Sequence, residues 1–123
     1  MQPSREKVAE LFRQYAFLPL YNVDNFEVCK NVLKAAYDGG VRLFELTNRS
    51  ENALDIFKEI VPFAKENMPD MLLGVGTIVD EKSSAAFREA GAAFIVSPII
   101  STEVANYCEK NSIFWVPGAG TLT

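Results

Sequence analysis

Short apolar runs of strand length alternate with apolar stripes of helical period along this whole chain, and no other feature limits its fold so tightly. Val8, Leu11, Phe12 and Tyr15 fall on one helical face. Phe17–Val23 ("FLPLYNV") follows as a first strand. Asp24 starts a helix with Glu27 as its capping-box partner. That helix carries the stripe Val28, Val32, Ala35 and Ala36, and Gly39–Gly40 ends it. Val41–Leu46 is a second strand. Ser50 caps the next helix, whose buried face is Ala53, Ile56, Phe57, Ile60, Val61 and Ala64. Met71–Gly76 is a third strand, and a helix from Asp80 to Ala90 stops at Gly91. Ala93–Ser97, a helix over Thr102–Lys110 and a strand over Ile113–Val116 complete the pattern.

The expected order is one helix followed by (βα)₄β, with strands recurring at roughly the spacing of a βαβ unit. The strands are continuously apolar rather than alternating, which is the mark of a parallel sheet covered on both faces. The 123 residues read as a single α/β domain without linker or low-complexity tract. Two architectures suit this. One is an open, doubly wound, flavodoxin-like sheet. The other is a (β/α)₈ TIM barrel of which only the N-terminal helix and about five βα units are present. Length alone favours the open sheet, because a whole barrel takes about 250 residues.

Composition excludes several function classes. A net charge of −4 with no basic cluster argues against a nucleic-acid partner. No apolar run approaches the roughly 20 residues that span a bilayer, so no membrane partner is expected. The charged N-terminus lacks a signal peptide's apolar centre, which makes cytoplasmic the expected location. The chain contains no histidine, which removes Ser-His and Cys-His nucleophiles and histidine metal sites. Cys29 and Cys108 read as buried reduced thiols.

In both architectures the site lies beyond the carboxyl ends of the strands. Those ends carry Glu45, Thr47 and Arg49; "GVGT" ending in Thr77; Ser97 and Pro98; and Pro117, Gly118 and Thr121. Val41, Leu43 and Glu45 share one face of their strand, which points inward in a barrel. A carboxyl group there is desolvated, which raises its pKa, while a nearby Arg49 lowers it. Such a tuned carboxyl suits proton transfer beside a carbonyl, and Arg49 suits a substrate carboxylate. The plain alternative is an ion pair closing the strand end. "GVGT" alone reads as a tight turn, since it lacks the third glycine of a dinucleotide fingerprint.

Taken in order, "GGVRLFELTNRSENAL", "LGVGTIVD", "EAGAAFIVSP" and "IFWVPGAGTLT" resemble the aldolase family that cleaves 2-keto-3-deoxy-6-phosphogluconate and 4-hydroxy-2-oxoglutarate. The resemblance runs from about residue 5 to the end, and its most specific element is Glu45-x-Thr47-x-Arg49 followed by G-x-G-T. It implies a (β/α)₈ barrel with an extra N-terminal helix, commonly a homotrimer. It also implies a class I aldolase that needs no metal or other cofactor and releases pyruvate plus an aldehyde through a lysine Schiff base. By the same resemblance Glu45 is the catalytic proton shuttle and Arg49 holds the carboxylate of a pyruvate-like keto acid. Thr77, Pro98, Pro117, Gly118 and Thr121 fall on substrate-binding positions.

The sequence departs from the family at Ile99, where glycine is usual, and at Asn48, usually aliphatic. The family's Schiff-base lysine, in a K-x-F-P-A-like segment of the sixth strand, and its phosphate loops have no counterpart here. This stretch is therefore expected to be inactive by itself. A non-catalytic partial-barrel module pairing through its open strand edges, and the flavodoxin-like binding protein, are the alternative readings.

Overall fold

The computed structural model describes residues 2–22 and 24–121. The elements are α1 (Arg5–Tyr15), β1 (Leu20–Asn22), α2 (Phe26–Asp38), β2 (Leu43–Thr47), α3 (Ala53–Asn67), β3 (Leu72–Gly76), α4 (Glu81–Glu89), β4 (Phe94–Ser97), α5 (Thr102–Lys110) and β5 (Phe114–Pro117). All five strands are parallel and lie in the order β1-β2-β3-β4-β5. That order decides between the two architectures. A doubly wound sheet reverses direction at a switch point, whereas a strictly sequential parallel order is the winding of a barrel. Crossovers of one hand then place every connecting helix on the same face.

The two faces are built differently. Phe44, Leu46, Leu73, Val75 and Ile95 join Cys29, Leu33, Ile56, Phe57, Ile60, Phe87, Val104 and Cys108 of α2–α5 in the larger core. The opposite, inner face carries Leu43, Ala93 and Phe94 with Leu72, Val96 and Phe114, covered by Val8, Leu11 and Phe12 of α1. Leu43, Leu72, Phe94 and Phe114 are the first residues of their strands, so α1 closes the amino end of this face. Phe12 meets Phe94 edge-on at 5.0 Å and Phe114 at 4.9 Å between ring centroids. An exposed Arg5–Glu109 ion pair at 2.6 Å joins α1 to α5.

The helix over Thr102–Lys110 and the buried face of α3 fall where the periodicity places them. Gly40 and Gly91 end α2 and α4 with φ of +102° and +112°, a backbone that only glycine adopts without strain. Other details differ. The first strand is only Leu20–Asn22, because Pro19 has no N–H to give and Phe17 is exposed; Val23 lies outside the described residues. Asn25, not Asp24, caps α2, its side chain accepting from the Val28 N–H at 3.0 Å. The fully buried residues of α2 are Cys29 and Leu33; of the expected stripe, Val32 and Ala36 pack half-buried against the same core, while Val28 and Ala35 are exposed. Asn52, not Ser50, stands at the start of α3, and its side chain reaches across to the Asp24 carbonyl instead of capping.

Phe57 is 1% exposed and packs its ring edge-to-face on Phe87 at 5.3 Å. Phe57→Ala is expected to cost about 3–5 kcal/mol in urea unfolding followed by circular dichroism.

Candidate active site

Glu45 sits in the middle of β2 with Leu43 on one side and Thr47 on the other, on the inner face beyond the layer that α1 covers. It is 5% exposed. Leu20 and Gly74 are its register partners on β1 and β3. Its carboxylate leans along the strand toward the carboxyl end and lies over the backbone of Gly76. Desolvation by burial raises the Glu45 pKa above the ordinary carboxylate value, and the positive charge of Arg49 works against it. Among the described residues no buried side-chain oxygen or nitrogen lacks a partner.

Arg49 is exposed, just past β2, and its Nε donates to the Thr77 hydroxyl at 3.3 Å. Thr77 follows β3 in the left-handed region, φ +61°. A β-branched residue pays for that conformation, and here the strained turn is what aims its oxygen at Arg49. The Asn48 N–H donates to the Gly76 carbonyl at 2.9 Å, which carries the β2–β3 pairing past the strand end and keeps the two loops together.

The remaining predicted positions gather at the other end of the arc. Ser97 pairs in register with Pro117, its carbonyl accepts from the Gly118 N–H at 2.7 Å, and its hydroxyl accepts from the Trp115 indole at 2.9 Å. Gly118 passes so close to the Pro98 carbonyl that a side chain there would overlap it. Pro98, Pro117 and Thr121 are exposed, as are Ile99 and Ile100 beside them. The described site is thus two clusters, Glu45-Arg49-Thr77 on β2–β3 and Pro98-Pro117-Gly118 on β4–β5, joined through the β3–β4 pairing. A cavity of about 520 Å³ lies elsewhere, between α3 and α4 against Leu54, Val61, Pro62 and Ala86. A five-stranded arc presents its strand ends as an open face, so cavity size is a poor guide to this site.

Sequence reasoning missed two residues here. Gly76 ends β3 as expected, but its place under the Glu45 carboxylate was not read. Asn22, at the end of β1, brings its Oδ1 to 3.4 Å from the Thr47 hydroxyl and 3.5 Å from that of Ser50. Its polar side chain at the end of an apolar strand was the available signal. The thiols of Cys29 and Cys108 are pushed up by burial to about 12 and about 11, which leaves both inert at neutral pH.

A sequential parallel arc with its polar groups at the carboxyl ends of the strands is the winding of part of an α/β barrel. The sequence profile described as KDPG and KHG aldolase matches residues 8–123. A 2-dehydro-3-deoxy-phosphogluconate aldolase from Pseudoalteromonas atlantica is 30% identical over 93% of this chain and 51% of its own length. The KHG/KDPG aldolase of Escherichia coli is 33% identical over 86% of this chain and 48% of its own. Among solved structures, the KDPG aldolase of Legionella pneumophila, which holds pyruvate as a covalent carbinolamine, superposes with a TM-score of 0.75. It is 25% identical over 85% of this chain and 49% of that one. The protein belongs to the KDPG/KHG aldolase family, and it spans about half the length of the curated relatives it matches.

With its pKa raised in the folded state, Glu45 favours folding most where it is protonated, and that contribution is lost as pH rises through its folded pKa. Glu45→Gln, which carries no charge at any pH, should therefore gain on the wild type between pH 4 and pH 7 in urea midpoints; a wild type that gains instead would contradict the burial. Thr77→Gly relieves the left-handed strain and should raise stability by up to about 1 kcal/mol in the same assay.

Proposed function

We propose that these residues form the proton-transfer and carboxylate-binding part of a class I aldolase that cleaves a 2-keto-3-deoxy-6-phosphogluconate or 4-hydroxy-2-oxoglutarate type substrate to pyruvate and an aldehyde. The observation that carries this is the pairing of a buried acid with an exposed guanidinium toward the carboxyl end of β2: Glu45 under desolvation, Arg49 held by Thr77. A carboxyl group whose pKa burial has raised holds its proton more readily than an exposed one, which suits it to give and take a proton beside a carbonyl. With Nε engaged on Thr77, the two terminal nitrogens of Arg49 are the pair a carboxylate takes bidentately. Pro98, Pro117, Gly118 and Thr121 line the far side of the opening in this reading.

Every lysine of the chain lies on a helix: Lys7 on α1, Lys30 and Lys34 on α2, Lys58 and Lys65 on α3, Lys82 on α4 and Lys110 on α5. None occupies an inner-facing strand position beside Glu45, where an amine would have to attack the keto carbon. In this reading the amine that condenses with pyruvate is none of these seven. Assembly of the whole barrel as a homotrimer, and residence in the cytoplasm, belong to the same proposal.

The test joins residues 1–123 to the complementary half of the Escherichia coli relative. The chimera should release pyruvate from one of the two keto acids in a coupled NADH assay, and Glu45→Gln should lower kcat by about 10²–10⁴. A chimera that traps pyruvate with borohydride yet loses nothing on Glu45→Gln would refute the role given to Glu45. The 123-residue chain treated with pyruvate and borohydride should keep its mass.

A further inference from the structure

β3 sets two glycines on the inner face, Gly74 and Gly76, and they make room for different things. At Gly74 the space a side chain would take is filled by the Phe94 ring. At Gly76 it is filled by the Glu45 carboxyl group: a β-carbon there would overlap Oε2 and Cδ and stand 3.0 Å from Cγ. The demand is for space, because Gly40 and Gly91 are the glycines with positive φ among the described residues. The backbone of Gly76 is fixed as well, since it pairs in register with Thr47 and its carbonyl accepts from Asn48. Glu45 in turn leaves a strand bonded on both sides, its own N–H donating to the Pro19 carbonyl at 2.9 Å. Neither main chain can move aside, so a collision at this point falls on the carboxylate.

We infer that Gly76 is the positioning residue of Glu45: the missing side chain is the seat of the carboxylate, which it holds against the sheet next to Thr77 and Arg49. This rests on the reading of Glu45 as the proton-transfer group. Any β-carbon at position 76 drives the carboxylate off the sheet and into water. The group then keeps its charge partner in the neighbourhood but loses the burial that sets its proton affinity. Arg49 is the one charge that acts on Glu45 among the described residues, so burial is what a displacement changes.

The experiment compares Gly76→Ala with the wild type in the 123-residue chain, following the Glu45 carboxyl carbon by ¹³C NMR between pH 3 and 9. In the wild type the midpoint should lie above the ordinary glutamate value of about 4.3, and in Gly76→Ala it should return to that value. A midpoint that is ordinary in the wild type, or unchanged by the substitution, overturns the inference. Because Gly76→Ala could fail to fold, urea midpoints are also taken in a Glu45→Ala background, where the seat is empty. There the second substitution should cost nothing, and Glu45→Ala/Gly76→Ala should unfold at the same urea concentration as Glu45→Ala. An equal loss in both backgrounds would show that Gly76 serves the strand and not the carboxylate. Neither readout uses a substrate, so a failure of the lyase reading leaves this test intact.

Discussion

A parallel sheet has two apolar faces, and the helices that connect sequential strands can cover only one. Everything else in this structure follows from how the second face is handled. α2–α5 bury Phe44, Leu46, Leu73, Val75 and Ile95. The inner face receives α1, but only across its amino end, where Phe12 packs on Phe94 and Phe114. Burying such rings is worth roughly 1.5–3 kcal/mol each, which is ample to dock one amphipathic helix. Beyond that layer the inner positions change character, from Leu43 and Leu72 to Glu45 and the two glycines of β3. On β2 and β3 the inner face thus passes from packed apolar side chains to an acid and glycines, and the acid stands at that boundary.

That boundary sets the electrostatics. Inside the packed layer a carboxylate would have to be neutral; out in solvent it would titrate as an ordinary glutamate. Glu45 is buried with its carboxylate against Gly76 and feels two opposed effects, desolvation upward and Arg49 downward. Arg49 is exposed, and a charge reached through water is strongly screened. Desolvation therefore wins, in agreement with the direction found. The balance depends on where the carboxylate rests, and that is why the shape of β3 beneath it matters as much as the cation above it.

The fold class was legible because periodicity reports burial on two scales at once: the face of α3 was read residue for residue, and α5 falls on its expected bounds. Boundaries set by local competition were not. Asp24 and Asn25 are both good caps, and Asn25 wins because its oxygen meets the Val28 N–H. On α2 the edge of the stripe was misplaced because Val28 reads as a hydrophobe and Cys29 as a thiol, yet Cys29 is the one that faces the core. The choice between open sheet and barrel was not settled by periodicity either, because both windings use the same βα units. Strand order settles it, and order is a property of pairing that no local pattern contains. At the site, Glu45, Arg49 and Thr77 were legible as polar breaks in apolar runs. Gly76 was not, since a glycine that makes room for a neighbour looks in sequence like one that makes a turn.

The same division of the sheet constrains where the rest of the chemistry must come from. Lys30, Lys34, Lys58, Lys65, Lys82 and Lys110 stand on α2–α5, in the layer that packs against the outer face, and Lys7 stands on the helix that closes the amino end. An amine on any of these helices is separated from the Glu45 carboxylate by the sheet itself or by the packed layer of Leu43, Phe94 and Phe114. A nucleophile that works with Glu45 has to project from the inner face of a strand at the same height. The two polar clusters at the ends of β2–β3 and β4–β5 already define that height. Glu45, Arg49 and Thr77 stand on the β2–β3 side of that end of the sheet, and Pro98, Pro117 and Gly118 on the β4–β5 side.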